Sequence, residues 1–190
     1  MNPTLRNFTT LLLAGAAAGL LPLRADEMKP SPKETFTIAQ RGKDAGDGTQ
    51  AWTASVIFPE GGAPETTLVS EDDAGPWPGV FEVSPDDRWI LQIRKIGSGQ
   101  STAFLYEVAG NQRIARIVQP LEDFGWQALA DLEEKPRAAY NAMKVEFAAW
   151  DLAANLLKFK IIGFRQGEND EDITRVVNYD LARNKYSIAK

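Results

Sequence analysis

The alternation of apolar and polar positions is clearest between residues 80 and 118. Phe81 and Val83 lead into Ser84-Pro85-Asp86-Asp87, where Pro85 presets φ for a turn and the Ser and Asp side chains can bond nearby amides. In the run that follows, Trp89, Leu91 and Ile93 fall on one face and Arg88, Gln92 and Arg94 on the other. That period of two predicts a half-buried strand. Gly97-Ser98-Gly99-Gln100 breaks the run with a turn, and Phe104, Tyr106 and Val108 then share a face over residues 102–108. Ala109-Gly110-Asn111 turns the chain again. Residues 112–118 read as a fourth strand with Arg113 and Arg116 as edge charges. The stretch predicts four antiparallel strands.

A partial copy returns near the C-terminus. Residues 104–112 correspond to residues 177–185, with Tyr106 matching Tyr179, Glu107 matching Asp180 and Asn111 matching Asn184. The preceding strands, 89–93 and 156–161, correspond in a register that requires loops of different length. Tyr106 and Tyr179 are therefore expected at equivalent core positions.

Ser84-Pro85-Asp86-Asp87-Arg88-Trp89, the Gly-rich turn and Leu105-Tyr106-Glu107-Val108 closing on Gly110-Asn111 together resemble one blade of the exported (periplasmic) β-propeller proteins. Those blades carry an S-P-D-G-[KR] turn and end on a Tyr-x-x-Asp-like strand. Trp150-Asp151-Leu152-Ala153-Ala154-Asn155 resembles a degraded second blade entry. Asp87 stands where the pattern has glycine, and the second copy lacks the Pro-Asp pair. The resemblance implies a mainly β fold of antiparallel hairpins in two blade-like sheets, about 80–118 and 147–190. These would pack as a sandwich or as part of a propeller that a partner or a second copy completes, so a homo-oligomer is one expectation.

The rest of the chain adds strands and one interruption. Residues 35–40 and 49–58 read as strands around an Arg41–Gly48 loop, residues 66–70 as a short strand, and residues 71–79 as an exposed connector. Residues 26–34 are polar and Pro-containing and read as a flexible lead. Between Leu121 and Leu132 the apolar positions Leu121, Phe124, Ala128, Leu129 and Leu132 follow a helical stripe. Residues 137–144 suggest a second short helix, so the helical insert is expected near 121–143, covering a sheet edge. Strands resume over 145–150, 156–164, 173–181 and 186–188.

Residues 1–25 have the form of a secretory signal peptide: Arg6, an apolar run over residues 11–21, and Ala25 before Asp26-Glu27. The apolar run is short of the roughly 20 residues that span a bilayer, so no membrane span is expected after cleavage. The expected location is exported, periplasmic or extracellular, with residues 26–190 as a single β-rich domain. Loss of Arg6 and Arg24 with the leader takes the net charge from −5 to −7. That charge disfavours a nucleic-acid partner, since neutralising phosphates needs a basic footprint.

Candidate chemistry is limited by what is missing. The chain has no histidine and no cysteine. Its commonest general base, thiol catalysis and the usual zinc ligands are thereby excluded. Gly97-Ser98-Gly99 lacks the frame of a nucleophile elbow and reads as a tight turn. There is no phosphate-binding glycine motif. Asp86 and Asp87 form the one obvious carboxylate pair, but adjacent acids in a turn are expected to cap backbone amides. Asp44-Ala45-Gly46-Asp47-Gly48 and Glu168-Asn169-Asp170-Glu171-Asp172 are acidic loops with oxygen ligands for calcium, yet neither completes an EF-hand frame, and both read as solvated tips. Trp77, between Pro76 and Pro78, is either a packing residue or an exposed contact. No catalytic, cofactor or metal residue is assigned. Three function classes follow: an exported non-catalytic module binding a protein, peptide or glycan; a self-assembling envelope component; and, last, a carboxylate-dependent hydrolase.

Overall fold

The computed structural model describes residues 25–46, 48–59, 65–117, 119–167 and 170–189. The leader, residues 1–24, lies outside them. The described chain forms three four-stranded antiparallel sheets, each a simple up-and-down meander. The first holds β1 (Ala25–Pro30), β2 (Thr37–Asp44), β3 (Gln50–Ile57) and β4 (Thr66–Val69). The middle sheet holds β5 (Val80–Val83), β6 (Trp89–Gly97), β7 (Gln100–Val108) and β8 (Ile114–Arg116). Helix α1 (Leu121–Leu132) follows. The last sheet holds β9 (Tyr140–Asp151), β10 (Leu156–Arg165), β11 (Glu171–Asp180) and β12 (Lys185–Ile188).

The mainly β class and the single helical insert match the sequence reading, with four corrections. There are three sheets, not two. Residues 26–30, read as part of a flexible lead, are instead the edge strand of the first sheet, with Met28 opposite Ala39 and Lys29 opposite Ile38. The last sheet starts at Tyr140 rather than near 147. The second helix expected over 137–144 shrinks to one 3-10 turn, Arg137–Ala139. Residues 140–144 pair instead with residues 162–165 of β10, and Tyr140 buries its ring there. A strand ladder and a buried aromatic outweigh the weak helical spacing of Ala138, Ala139 and Ala142.

The middle sheet is covered on both faces, so the sequence's one-sided reading of β6 also needs correction. Trp89 and Leu91 point one way into a core, but Ile90 and Gln92 are equally buried on the other side. Toward the first sheet, Phe81, Ile90, Phe104 and Tyr106 meet Phe36, Ile38, Val56 and Leu68. Toward the last, Trp89, Leu91 and Leu105 meet Leu121, Trp126 and Leu129 of α1 together with Leu157, Phe159 and Val177. Each fully buried side chain of this size contributes about 1.5–3 kcal/mol.

Helix α1 fits because Gly125 has no side chain. A Cβ there would stand 2.9 Å from both Ile161 and Val177, closer than packed carbons tolerate. The insert also closes the outer edge of β7. The short β8 pairs only with residues 106–108, and the Ile117 N–H donates to the Leu105 carbonyl at 2.9 Å. Next along the edge, the Ala103 N–H donates to the Glu122 carboxylate at 2.9 Å. Finally the Val145 N–H of β9 donates to the Ser101 hydroxyl at 2.9 Å. The Glu122 side chain thus supplies at Ala103 what a longer strand would, and the Ser101 side chain ties the edge to β9.

Candidate binding groove

The groove is built by two copies of one turn. In the middle sheet the Ser84 N–H donates to the Trp89 carbonyl at 2.9 Å, the Asp87 N–H to the Ser84 carbonyl at 2.9 Å, and the Trp89 N–H to the Ser84 hydroxyl at 2.9 Å. In the first sheet the Ser31 N–H donates to the Phe36 carbonyl and the Glu34 N–H to the Ser31 carbonyl, both at 2.9 Å, and the Phe36 N–H reaches the Ser31 hydroxyl at 3.3 Å. Ser31-Pro32-Lys33-Glu34 is therefore a copy of the Ser84–Asp87 turn that sequence reading missed. The signal was present in Ser-Pro followed by an aromatic at the same interval, but Lys33-Glu34 replaces the acidic pair.

Asp87 joins the two turns. Its carboxylate accepts from the Ser31 hydroxyl at 2.6 Å, the Thr35 hydroxyl at 2.7 Å and the Lys33 N–H at 3.1 Å. Asp87 is 5% exposed. Burial by itself pushes its pKa up, but these hydrogen bonds outweigh burial and hold the carboxyl below its ordinary range. Asp86 works locally, accepting from the Ser84 hydroxyl at 2.5 Å and the Arg88 N–H at 3.2 Å. Both acids of the pair are thus acceptors within the turn framework.

Between these turns and the β7–β8 turn lies a groove of about 940 Å³. Phe58, Pro59, Val108 and Ala109 give it an apolar lining, and Lys33, Glu34, Asp86, Arg88, Glu107 and Gln112 a charged and polar one. Arg88 is committed to Glu107 at 3.0 Å. Three lining residues hold left-handed backbone: Glu34 at φ 58°, Asp87 at φ 63° and Gln112 at φ 61°. An L-residue gives up roughly 1–2 kcal/mol in that region. The last sheet's left-handed turn residues are Asn155 and Asn184, a residue type that tolerates the conformation. The turns around the groove thus carry Glu34, Asp87 and Gln112 in this conformation, where the described turns of the last sheet use asparagine.

The other positions singled out by sequence lie apart from the groove. Gly97-Ser98-Gly99 is the β6–β7 turn, with Gly99 at φ 74°. Asp44 accepts from the Gly46 N–H at 2.8 Å, and Glu171 pairs with Arg165 at 2.6 Å. Asp47, Glu168 and Asn169 of the acidic loops lie outside the described residues. Trp77 is 39% exposed, with the Lys95 ammonium 4.4 Å from its ring centre. Its connector is anchored by the Trp52 N–H donating to the Gly75 carbonyl at 2.9 Å. Arg116 lies 3.8 Å over the Phe104 ring on the β8 edge.

The hairpin-end repeat has a structural counterpart. Tyr106 pairs with Ile90 and Tyr179 with Leu157, and beyond them the Val108 and Leu181 N–H groups donate to the Arg88 and Asn155 carbonyls at 2.8 and 3.0 Å. Compared with known proteins, the chain matches no protein-family model and no curated sequence.

Proposed function

We propose that the chain is an exported, non-catalytic binding module of β-propeller-like construction, engaging an extended segment of a protein or peptide partner in the groove between the first and middle sheets. The observation that carries this reading is the groove itself, an apolar floor with a charged rim framed by three turns on rigid hairpins. A peptide fits this lining better than a glycan. The one aromatic ring among the described lining residues, Phe58, is 8% exposed and offers no platform for a sugar to stack on. The acids nearest the groove do not form a hydrolytic pair in this reading, because Asp87 is spent on Ser31 and Thr35 and Glu107 on Arg88. Export rests on the sequence of residues 1–25.

Gly110 provides the test. Gly110 lines the groove and a Cβ there meets nothing within 4 Å, so Gly110→Trp is expected to add bulk at the groove with no backbone clash at Cβ. Peptide and glycan arrays are probed with both forms. Peptide hits that Gly110→Trp abolishes, with an unchanged melting curve, support the reading. Hits confined to glycans, or insensitive to the tryptophan, refute it. Turnover of ester or glycosidic substrates by the wild type would move the protein to the hydrolase class.

A further inference from the structure

The three sheets stack in one sense, and strand register makes their positions comparable. Ile38↔Val56, Leu91↔Leu105 and Lys158↔Asn178 are the same cross-strand pair in the first, middle and last sheets. In the first two sheets that pair is apolar, buried, and covered by the next sheet. In the last sheet it is a lysine and an asparagine. The neighbouring position repeats the change, with Lys160 where the middle sheet has Ile93. Lys158 is paired to Asp151 at 2.8 Å and Lys160 lies 4.0 Å from Glu146.

The opposite end of the stack shows the same substitution. The middle sheet turns Ile90 and Phe104 toward the first sheet, and the last sheet turns Leu157 and Val177 toward the middle one. The register-equivalent residues of the first sheet are Thr37 and Ser55; Ser55 is itself buried, bonded to Arg41 at 3.2 Å and to Glu65, so the Arg41–Glu65 pair and Thr37 form the outward polar surface there. Covering either outer face with another sheet would strip water from these ion pairs. That cost exceeds the Coulomb attraction recovered unless new partners replace every lost contact.

We propose that the two outward sheet faces are finished ends that refuse a fourth sheet, so the protein is a monomer and does not complete a ring by stacking with a second copy. The polar residues at Lys158, Lys160 and Asn178 on one face, and Thr37 with the Arg41–Glu65 pair on the other, act as the stops. The inference is independent of what the groove binds.

The test restores the middle sheet's residues. Wild type, Lys158→Leu with Asn178→Leu, and Thr37→Ile are expressed from the full gene and weighed by light scattering behind size exclusion. The expected result is monomeric wild type and a concentration-dependent doubling or greater rise in mass for the Lys158/Asn178 variant. Thr37→Ile probes the other end if the double variant does not fold, and it should associate likewise. A wild-type oligomer that Lys158→Glu disperses would overturn the proposal. So would folded variants, verified by circular dichroism, that all stay monomeric.

Discussion

The two seams of this molecule are each anchored by a buried carboxylate, and the two carboxylates sit in opposite electrostatic regimes. Between the first and middle sheets, Asp87 receives two hydroxyls and backbone amides from the facing turn, and its pKa is held down. Between the middle and last sheets, Glu122 is as deeply buried, 8% exposed, but burial dominates. Its pKa is pushed up despite the Thr102 hydroxyl and the Ala103 N–H. Burying a charge is therefore not one thing. Four donors make a buried carboxylate a fastener, while fewer leave it a group the fold would rather have protonated. The seams differ in kind as well: sheet lies directly on sheet at the first, whereas α1 is wedged into the second.

The largest effects should come from the wedge. Trp126→Ala removes a fully buried ring from the second seam and should cost about 3–5 kcal/mol. Hydrogen exchange should then rise across β9–β12 before it rises across β1–β4. Uniform loss of protection would mean that the two seams are not separable. Tyr106→Ala and Tyr179→Ala come next, at about 3 kcal/mol each if their equivalent positions carry equal weight. A harmless result at either would break the repeat.

The carboxylates themselves should respond in opposite senses. Asp87→Asn turns an amide toward Ser31 and Thr35, and should cost about 1–3 kcal/mol at pH 7. Because the folded pKa is depressed, Asp87's contribution is present above its unfolded pKa of about 3.9 and lost as pH falls through the folded value. The gap between wild type and Asp87→Asn should close in acid. Glu122 is the reverse: its raised pKa gives a contribution that is full below the unfolded value and lost as pH rises through the folded one. Glu122→Gln should match or exceed wild-type stability at pH 7 and lose that advantage in acid. Melts of both variants from pH 3 to 8, as about five points, decide the comparison, and parallel pH curves would erase the distinction. The smallest effect is Glu34→Gly, which relieves a left-handed glutamate and should raise stability by up to about 1 kcal/mol.

Much of this architecture was legible in the chain because strands with one dominant buried face write a period of two. The middle sheet's strands could be placed one by one, although β6 proved buried on both faces, and α1 was readable by its stripe. What hid was whatever depended on a neighbour. β1 carries no apolar alternation because it is an exposed edge, with Met28 53% exposed. Residues 140–144, Tyr-Asn-Ala-Met-Lys, carry no alternation that separates helix from strand, and pairing with β10 decides between them. The Asp86/Asp87 turn could be placed, but not Asp87's partners, since Ser31 and Thr35 belong to a different sheet. The groove was unreadable for the same reason: its walls come from three turns far apart in sequence.

The meander topology has a consequence for how the chain comes to be folded. Every strand pairs only with its sequence neighbours, and the first and last sheets share no core cluster. Loop closures are therefore short, and none requires the C-terminus to return to the N-terminus. A chain emerging amino end first can complete one sheet, then dock the next upon it, without waiting for its last residues. Order of synthesis and order of assembly coincide, and partly delivered chains spend little time with unpaired strands exposed to one another.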